Sequence, residues 1–346
     1  MNAPILITGG AGFLGINLCR YLLAGGQRVR SIDIAPFEYP ERHDVEVLQG
    51  DIRDPLAVER ALQGVEVVIH CAAALPRSSA MEIRSTNVEG TRLLLERSQA
   101  RGIGRFVFIS STAVYGVPDH EPLVEADRLA GVGAYGLSKV DAEGCCQAAR
   151  EQGLCVSVLR PKTFVGPERL GVFELLYAWA FEGRNFPVLG AGSNPYQLLD
   201  VEDLCAVIEC VRCADRAVAN DTFNVGAARF GSMRDNVQAV LDRAGHGRHV
   251  VALPAAPAVL MLRLLERAGL SPLYPWIYAT AGRDSWVSIE HLRQRLGYTP
   301  RFSNREALIR NYDWYVQHRA ELQGHFGVSH RVAWRHGALE LAKYAF

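Results

Sequence analysis

Apolar runs of strand length alternate with segments of helical periodicity through the first half of the chain. The strand-like runs are 5–8, 28–34, 45–52, 65–73, 105–111 and 155–161, and the helix-like segments are 14–23, 55–64, 86–101 and 134–151. Strands that alternate with helices predict a parallel sheet covered by helices on both faces. Because the runs are mostly apolar, they are expected in the middle of that sheet. The pattern therefore predicts a doubly wound α/β domain.

The alternation loosens near residue 165, where Pro, Gly and aromatic residues become frequent, and helix-like blocks dominate from Val172 on. We predict a core domain over 1–165 and a smaller, mostly helical C-terminal lobe over 166–325, with returns to the core near 198–226. A tail over 326–346 follows. As a helix it would align an apolar stripe made of Trp334, Ala338, Leu341 and Ala345. We expect such a tail to dock on its own domain or on a partner subunit, or to lie at a membrane interface.

Composition and charge exclude several classes of protein. Lys and Arg number 37 and Asp and Glu also number 37, so no net charge attracts nucleic acid or an acidic membrane. The beginning of the chain, "MNAPILITGG", lacks a basic-then-apolar leader, and no apolar run reaches the roughly 18 residues of a membrane span. We expect a cytoplasmic protein without a nucleic-acid partner.

The 8 cysteines are scattered along the chain, as in a reduced cytosolic protein. Cys210 and Cys213 have the spacing of a redox pair, but they lie in a helix-like segment without a second pair or a nearby His. Small buried hydrophobic cysteines are therefore the favoured interpretation, and no metal site is expected.

A glycine-rich stretch, "GGAGFLG", directly follows the first strand and opens the first helix. In that order Gly9 permits a tight turn, Gly12 allows the backbone to approach a pyrophosphate, and Gly15 allows the helix to pack on the strand. The helix N-terminus then offers N–H groups and a partial positive charge to the phosphates. The stretch predicts a Rossmann-type dinucleotide site.

An acidic residue ends the second strand. Asp33 lies 18 residues after Gly15, where a carboxylate binds the adenosine ribose 2′-hydroxyl. Because a carboxylate repels a 2′-phosphate, the sequence predicts NAD(H) as the cofactor rather than NADP(H).

Tyr135 and Lys139 stand four residues apart in a helix-like segment, so both project from one face. A phenol with a pKa near 10 is a poor base at neutral pH, but a nearby ammonium favours the phenolate. The strand that ends at Ser110, Ser111 and Thr112 brings hydroxyl groups to the carboxyl edge of the sheet. A serine there can hold a substrate oxygen while Tyr135 moves its proton.

With these residues in order, the chain resembles the extended short-chain dehydrogenase/reductase family over roughly residues 3–320. That family includes nucleotide-sugar epimerases, sugar dehydratases and 3β-hydroxysteroid-dehydrogenase-like enzymes. The stretches that carry the resemblance are "TGGAGFLG", "GDIRD", "HCAA", "NVEGT", "FISSTAVYG", "YGLSK", "LRPKTFVGP", "DVEDL" and "FNVG".

The resemblance implies a catalytic set of Ser111, Tyr135 and Lys139, with Lys139 also holding the nicotinamide ribose. It implies that Asn87 braces the active-site loop, whereas the residue type alone fits a helix N-cap equally well. The other cofactor contacts that it implies are Phe13, Leu14, Asp51, Ile52, Ala72, Ala73 and Pro161.

The chain departs from the sugar-processing members at several positions. Sugar dehydratases carry an acidic pair after the catalytic hydroxyl, where this chain has Thr112 and Ala113, so dehydration is not expected. Epimerases carry an Asn and an Arg that bind the sugar nucleotide, where this chain has Thr163 and Tyr196. A phenol does not replace an arginine fork on a diphosphate, although Lys162 or Arg283 can supply a cation. The predicted substrate contacts are Ser111, Thr112, Thr163 and Tyr196.

The C-terminal lobe is apolar over 253–278, which favours a lipid-like substrate. We therefore expect an NAD(H)-dependent oxidoreductase that interconverts a ketone and a secondary alcohol on a sterol or a long-chain keto compound. The alternatives are a nucleotide-sugar 4-epimerase with tightly bound NAD and a non-catalytic NAD-sensing regulator. We also expect a homodimer, with a peripheral membrane contact through the tail.

Overall fold

The computed structural model describes residues 3–76, 78–117, 119–168, 171–267, 282–322, 327–329 and 332–333. The chain forms two compact units. The sheet unit comprises Met1–Lys162, Val201–Gly226 and Val287–Thr299, and the second unit comprises Thr163–Asp200, Ala227–Trp286 and Pro300–Phe346. The segment 287–299 thus returns to the sheet unit, which the sequence analysis did not predict.

The strands of both units are short. They are β1 (Ile5–Thr8), β2 (Val29–Asp33), β3 (Val45–Gln49), β4 (Val67–His70), β5 (Arg105–Ile109), β6 (Val156–Pro161), β7 (Phe164–Val165), β8 (Phe186–Leu189), β9 (Leu199–Asp200), β10 (Thr222–Val225), β11 (Val250–Leu253), β12 (Gly327–Ser329) and β13 (Val332–Ala333). The helices are α1 (Phe13–Ala24), α2 (Pro55–Ala61), α3 (Ala80–Arg84), α4 (Thr91–Ala100), α5 (Gly133–Glu151), α6 (Glu174–Phe181), α7 (Val201–Cys213), α8 (Arg216–Ala219), α9 (Met233–Ala244), α10 (Ala255–Arg267), α11 (Glu290–Leu296) and α12 (Asn304–Leu322).

The sheet unit is built on a 7-stranded sheet in the order β10-β6-β5-β4-β1-β2-β3, and every neighbouring pair is parallel. Apolar strand residues such as Leu6, Val68 and Phe106 pack against buried residues of the flanking helices, such as Leu95 and Ala142. Burial of both faces explains why these strands carry near-continuous apolar sequences. The predicted Rossmann-type fold is confirmed.

The predicted helix over 86–101 has a different beginning in the structure. Residues Ser85–Gly90 form a π-helical turn, and regular α-helix starts only at Thr91. π-Turns widen a helix locally and are frequent at functional sites. This one carries Asn87.

The second unit has its own apolar core around α6, α9 and α12, whose buried members include Tyr177, Val240 and Leu308. β8 pairs with β11, and β7 with β9, both in parallel. The unit is therefore helical with small two-stranded sheets, in agreement with the predicted helical lobe.

The predicted helix in the tail is wrong at its start. β12 and β13 form a short antiparallel pair at Gly327–Ser329 and Val332–Ala333, because this segment pairs its backbone between strands instead of along a helix. The whole predicted stripe, from Trp334 to Ala345, lies outside the described residues, as do residues 268–278 of the predicted apolar region. Within the part of the chain that the structure describes, no helix has both the length and the apolar character to cross a membrane.

Candidate active site

The glycine loop makes two close approaches that only glycine allows. Gly9 has a φ of +70°, and a Cβ there would lie 2.8 Å from the backbone of Ala72. A Cβ on Gly15 would lie 2.2 Å from the carbonyl oxygen of Gly9. Helix α1 begins directly after Gly12 without a side-chain cap and without an acidic residue in its first turn. This helix N-terminus therefore fits the pyrophosphate of a dinucleotide.

Asp33 is fixed beside the glycine loop at the end of β2. Its carboxylate accepts hydrogen bonds from the backbone N–H groups of Ala11, at 3.1 Å, and Ala35, at 2.8 Å. The first bond ties the acid to the loop itself. This position beside the glycine loop agrees with the predicted contact of Asp33 to a ribose hydroxyl of the dinucleotide.

Two of the predicted cofactor contacts, Asp51 and Ile52, lie between β3 and α2. Asp51 follows β3, and its carboxylate is bound by the guanidinium of Arg53, with a closest N–O distance of 2.6 Å. This ion pair lowers the pKa of Asp51. Ile52 is buried beneath the π-turn, where a Cβ on Gly90 would meet its Cδ1 at 2.8 Å. The sequence analysis did not foresee that Asp51 is engaged by Arg53.

The predicted catalytic residues meet at the end of β5. Ser111 lies two residues after this strand and caps the 3₁₀-turn Thr112–Tyr115, accepting a hydrogen bond from Ala113 N–H at 3.1 Å. The Lys139 ammonium donates to the carbonyl oxygen of Ile109, at 2.8 Å, in the same strand end. It also lies 6.0 Å from the ring centroid of Tyr135, one helical turn earlier in α5.

Lys139 is a buried cation with an altered pKa. Its side chain is only 3% exposed. Burial lowers its pKa to about 8, and Cys71, Cys146 and Glu143 act in the opposite direction. The amine is therefore still mostly protonated at neutral pH. A cation held beside a phenol favours the phenolate, which is the form that accepts a proton.

A buried polar network supports this edge of the sheet, and the sequence analysis missed it. Glu143 accepts a hydrogen bond from the Ser110 hydroxyl at 2.5 Å and pairs with Arg160 at 2.7 Å. Arg160 also donates to the Tyr115 hydroxyl at 2.9 Å, and that hydroxyl donates to Asn224 at 2.7 Å. Helical spacing is the sequence signal that could have indicated Glu143, because this residue follows Lys139 by one turn of α5. The network joins the segment after β5 to β6, β10 and α5, next in sequence to the predicted catalytic Ser111.

Asn87 is fully engaged inside the π-turn. Its Oδ1 accepts from the N–H of Ala74 at 2.7 Å, and its Nδ2 donates to the Ala74 carbonyl at 3.1 Å and to the Ser138 hydroxyl at 3.0 Å. The N-cap interpretation is wrong, because Ser79 caps α3 and Gly90 precedes α4. The contacts favour a bracing role between the loop at Ala74 and the catalytic helix.

The remaining predicted contacts are distributed over both units. Ala72 and Ala73 follow β4, and Pro161 is the buried last residue of β6. Thr163 and Tyr196 belong to the second unit. The Tyr196 ring packs, partly buried, against the apolar core of that unit.

A family model described as the NAD dependent epimerase/dehydratase family matches residues 5–226, which include the glycine loop, Asp33 and the catalytic set. The chain belongs to this family. The resemblance to the extended short-chain dehydrogenases/reductases is thereby confirmed, as are NAD(H) as the cofactor and an NAD-dependent oxidoreductase as the class of enzyme.

Members of the epimerase/dehydratase family with different named activities are similar to this chain. The uncharacterized protein y4nG of Sinorhizobium fredii is 36% identical over 344 residues, which cover 98% of this chain and 85% of that protein. A 2-alkyl-3-oxoalkanoate reductase of Stenotrophomonas maltophilia is 30% identical, with 88% of this chain and 97% of the reductase covered. A solved dTDP-glucose 4,6-dehydratase from Streptomyces venezuelae, a DesIV double mutant with NAD and DAU bound, is 25% identical with a TM-score of 0.73, covering 92% of this chain and 98% of that chain.

For this epimerase/dehydratase family member, the position of Asp33 predicts a strong preference for NADH over NADPH. Asp33→Asn keeps the shape of the side chain but removes the charge that repels a 2′-phosphate. We expect the ratio of the two dissociation constants to fall by about tenfold, or ~1.4 kcal/mol. Cofactor fluorescence titrations of both dinucleotides measure it, with Asp54→Asn, at the cap of α2, as the matched control. Equal binding of NADH and NADPH by the wild type would contradict the assignment.

Proposed function

We propose that this enzyme moves a hydride between NAD(H) and a secondary alcohol or ketone on a lipid-like substrate, such as a sterol or a long-chain keto compound. The observation that carries the proposal is the environment of Tyr196. Sugar-nucleotide enzymes of the family place an arginine there, whereas this chain places a phenol whose ring packs on an apolar core. A neutral ring in that setting supplies no bidentate contact to a diphosphate.

The second unit also offers apolar surface. Helix α10 exposes three large apolar side chains by more than half of their area, those of Leu260, Met261 and Leu264. An apolar substrate gains affinity from buried area, at about 25 cal/mol per Å², and requires no phosphate clamp. The similar reductase from Stenotrophomonas maltophilia is named for an alkyl-substituted keto acid, which supports the same substrate class.

The roles of the catalytic residues follow from their positions. NAD(H), when bound, supplies or accepts the hydride. Tyr135 donates a proton to the carbonyl oxygen in the direction of reduction and takes it from the hydroxyl in the direction of oxidation. The charge of Lys139 favours the phenolate form of Tyr135, and the Ser111 hydroxyl holds the substrate oxygen.

Elimination of water from a sugar fits this site poorly. It requires an acid close to the leaving hydroxyl, and the two residues after Ser111 are Thr112 and Ala113. Neither side chain titrates in the physiological range. We therefore assign reduction or oxidation without dehydration.

A nucleotide-sugar 4-epimerase is the second candidate, and one observation favours it. Lys162 is a buried residue that directly follows β6 in the sheet unit, and its backbone N–H donates to Val225 at 2.8 Å. Burial lowers the pKa of its amine to about 8, and Glu121 acts in the opposite direction. A cation at this edge of the sheet can contact a phosphate in place of the missing arginine.

Ligand-dependent stability distinguishes the two functions. UDP, dTDP and GDP are titrated while thermal unfolding is followed, and NADH oxidation is recorded with a 3-ketosteroid and a long-chain ketone. A ligand at a hundred times its dissociation constant stabilises by about 2.7 kcal/mol. We expect NADH oxidation with a lipid-like ketone and no change in the unfolding temperature with the nucleotides. A nucleotide shift that disappears in Lys162→Met, without NADH oxidation on either ketone, would instead establish the epimerase.

The homodimer and the peripheral membrane contact stay predictions. Apolar surface for a dimer is available on the sheet unit, where Met81 of α3 and Leu137 of α5 are both exposed. An ion pair of 3.7 Å between Arg84 and Asp141 holds these two helices side by side.

A further inference from the structure

A buried histidine links the end of β1 to the start of α4. Thr8 and His70 are the last residues of β1 and β4, and they lie opposite each other in the parallel register. The Thr8 Oγ1 lies 2.7 Å from His70 Nδ1, and His70 Nε2 lies 2.8 Å from the Oγ1 of Thr91. The three side chains are buried. Both ring nitrogens are therefore engaged by hydroxyl groups with no access to water.

The partners of the two threonines set the direction of these bonds. The Thr8 hydroxyl accepts from the Ala72 N–H at 3.2 Å, which leaves its own proton available to donate to His70 Nδ1. The Thr91 hydroxyl donates to the carbonyl oxygen of Asn87 at 2.7 Å, so it must accept from His70 Nε2. His70 is thus the neutral tautomer that carries its proton on Nε2.

The surroundings of His70 favour the neutral ring. Phe106 and Phe108 pack against it, with ring centroids 5.9 and 5.6 Å away. Burial lowers the pKa of His70 to about 3, and the nearby Lys139 ammonium acts in the same direction. The series of hydrogen bonds through Thr8, His70 and Thr91 therefore keeps the same donors and acceptors at all physiological pH values.

This series of hydrogen bonds extends from the glycine loop to α5, the helix that carries Tyr135 and Lys139. At one end Thr8 precedes Gly9 and holds Ala72, and a Cβ on Gly9 would lie only 2.8 Å from the Ala72 backbone. At the other end Asn87 donates to Ser138, whose hydroxyl donates to the Tyr135 carbonyl oxygen at 2.8 Å. Hydrogen bonds in such a fully paired buried network stiffen one another.

We propose that His70 is a positioning residue for NAD(H): held between Thr8 and Thr91, it sets the glycine loop, the Ala72 loop and the π-turn of Asn87 in their binding geometry. The proposal concerns the cofactor site and does not depend on which substrate the enzyme uses.

The test replaces the hydroxyl groups without changing side-chain shape, using Thr8→Val and Thr91→Val. Neither threonine is among the predicted cofactor contacts, and Thr91 is the decisive position because Thr8 directly precedes Gly9 of the glycine loop. We expect each variant to raise the NADH dissociation constant by about tenfold, which is ~1.4 kcal/mol. In the double variant the NADH dissociation constant should rise by less than the product of the two single fold-changes, because both substitutions act through His70. Isothermal titration with NADH measures all of these, and unfolding curves confirm that each variant is folded.

A matched control separates positioning from general loss of stability. Ser157→Ala removes another buried hydroxyl of the sheet unit, near the amino end of β6. This hydroxyl donates a hydrogen bond of 2.5 Å to the Ala219 carbonyl oxygen. We expect this variant to lose stability but to keep the NADH affinity of the wild type. Folded Thr8→Val and Thr91→Val variants with wild-type NADH affinity would overturn the proposal.

The wild type allows a second test, which reports the tautomer of His70 directly. In protein labelled with ¹⁵N-histidine, the signals that are lost in His70→Gln belong to His70. We expect a protonated Nε2, an unprotonated Nδ1 and no titration between pH 5 and pH 9. A ring that carries its proton on Nδ1, or that titrates within this range, would also overturn the proposal.

Discussion

Tyr135→Phe lowers turnover by about 10²–10⁴-fold while NADH affinity stays near that of the wild type. The substitution removes only the phenolic oxygen, which is the atom that exchanges a proton with the substrate. The ring stays on α5 beside Lys139, so the cofactor site is preserved. Single-turnover NADH oxidation measures the chemical step, and a fluorescence titration measures binding. A Phe variant with wild-type turnover would remove Tyr135 from the mechanism.

Lys139→Met has the second large effect, and it affects both turnover and cofactor binding. Without the ammonium, the phenolate form of Tyr135 loses its neighbouring positive charge, so less phenolate is available at neutral pH. We expect turnover to fall by about 10²-fold or more. NADH affinity should fall as well, because Lys139 is also assigned to the nicotinamide ribose. Turnover and NADH titrations at pH 7 measure the two effects separately.

Lys162→Met is the matched control for Lys139→Met. Both lysines are buried in the sheet unit, and burial lowers the pKa of each to about 8. Only Lys139 belongs to the Tyr-x-x-x-Lys motif, so Lys162→Met should bind NADH as the wild type does. Unchanged NADH affinity in Lys139→Met would contradict the ribose contact, and unchanged turnover would contradict its effect on the phenol.

Local patterns in the sequence predict much of the sheet unit. The apolar run 5–8 is β1, Ile5–Thr8, and the helical segment 134–151 is α5, Gly133–Glu151. These elements are predictable because buried strands and amphipathic helices leave periodic signals within one segment. The glycine loop and the Tyr-x-x-x-Lys spacing are equally local, which is why the cofactor and the class of chemistry could also be predicted.

Features that depend on distant segments could not be predicted in this way. The pairing of Val250–Leu253 with Phe186–Leu189, and the return of 287–299 to the sheet unit, depend on which surfaces bury each other. The contacts of His70 depend on the register between β1 and β4, which places Thr8 opposite it. The π-turn at Asn87 likewise results from side-chain contacts with Ala74 and Ser138, and it has no periodic signature.

The proposed function is net hydride transfer to a lipid-like ketone, and isotope transfer tests it most directly. The enzyme is incubated with NADH deuterated at C4, in each stereochemical form, together with a 3-ketosteroid or a long-chain ketone, and the products are analysed by mass spectrometry. We expect one of the two deuterated forms to place one deuterium on the new carbinol carbon. One NADH should be consumed for each alcohol formed, and the Tyr135→Phe variant should transfer no deuterium. Epimerisation of a UDP- or dTDP-hexose without net consumption of NADH, with no deuterium in any ketone-derived product, would contradict it.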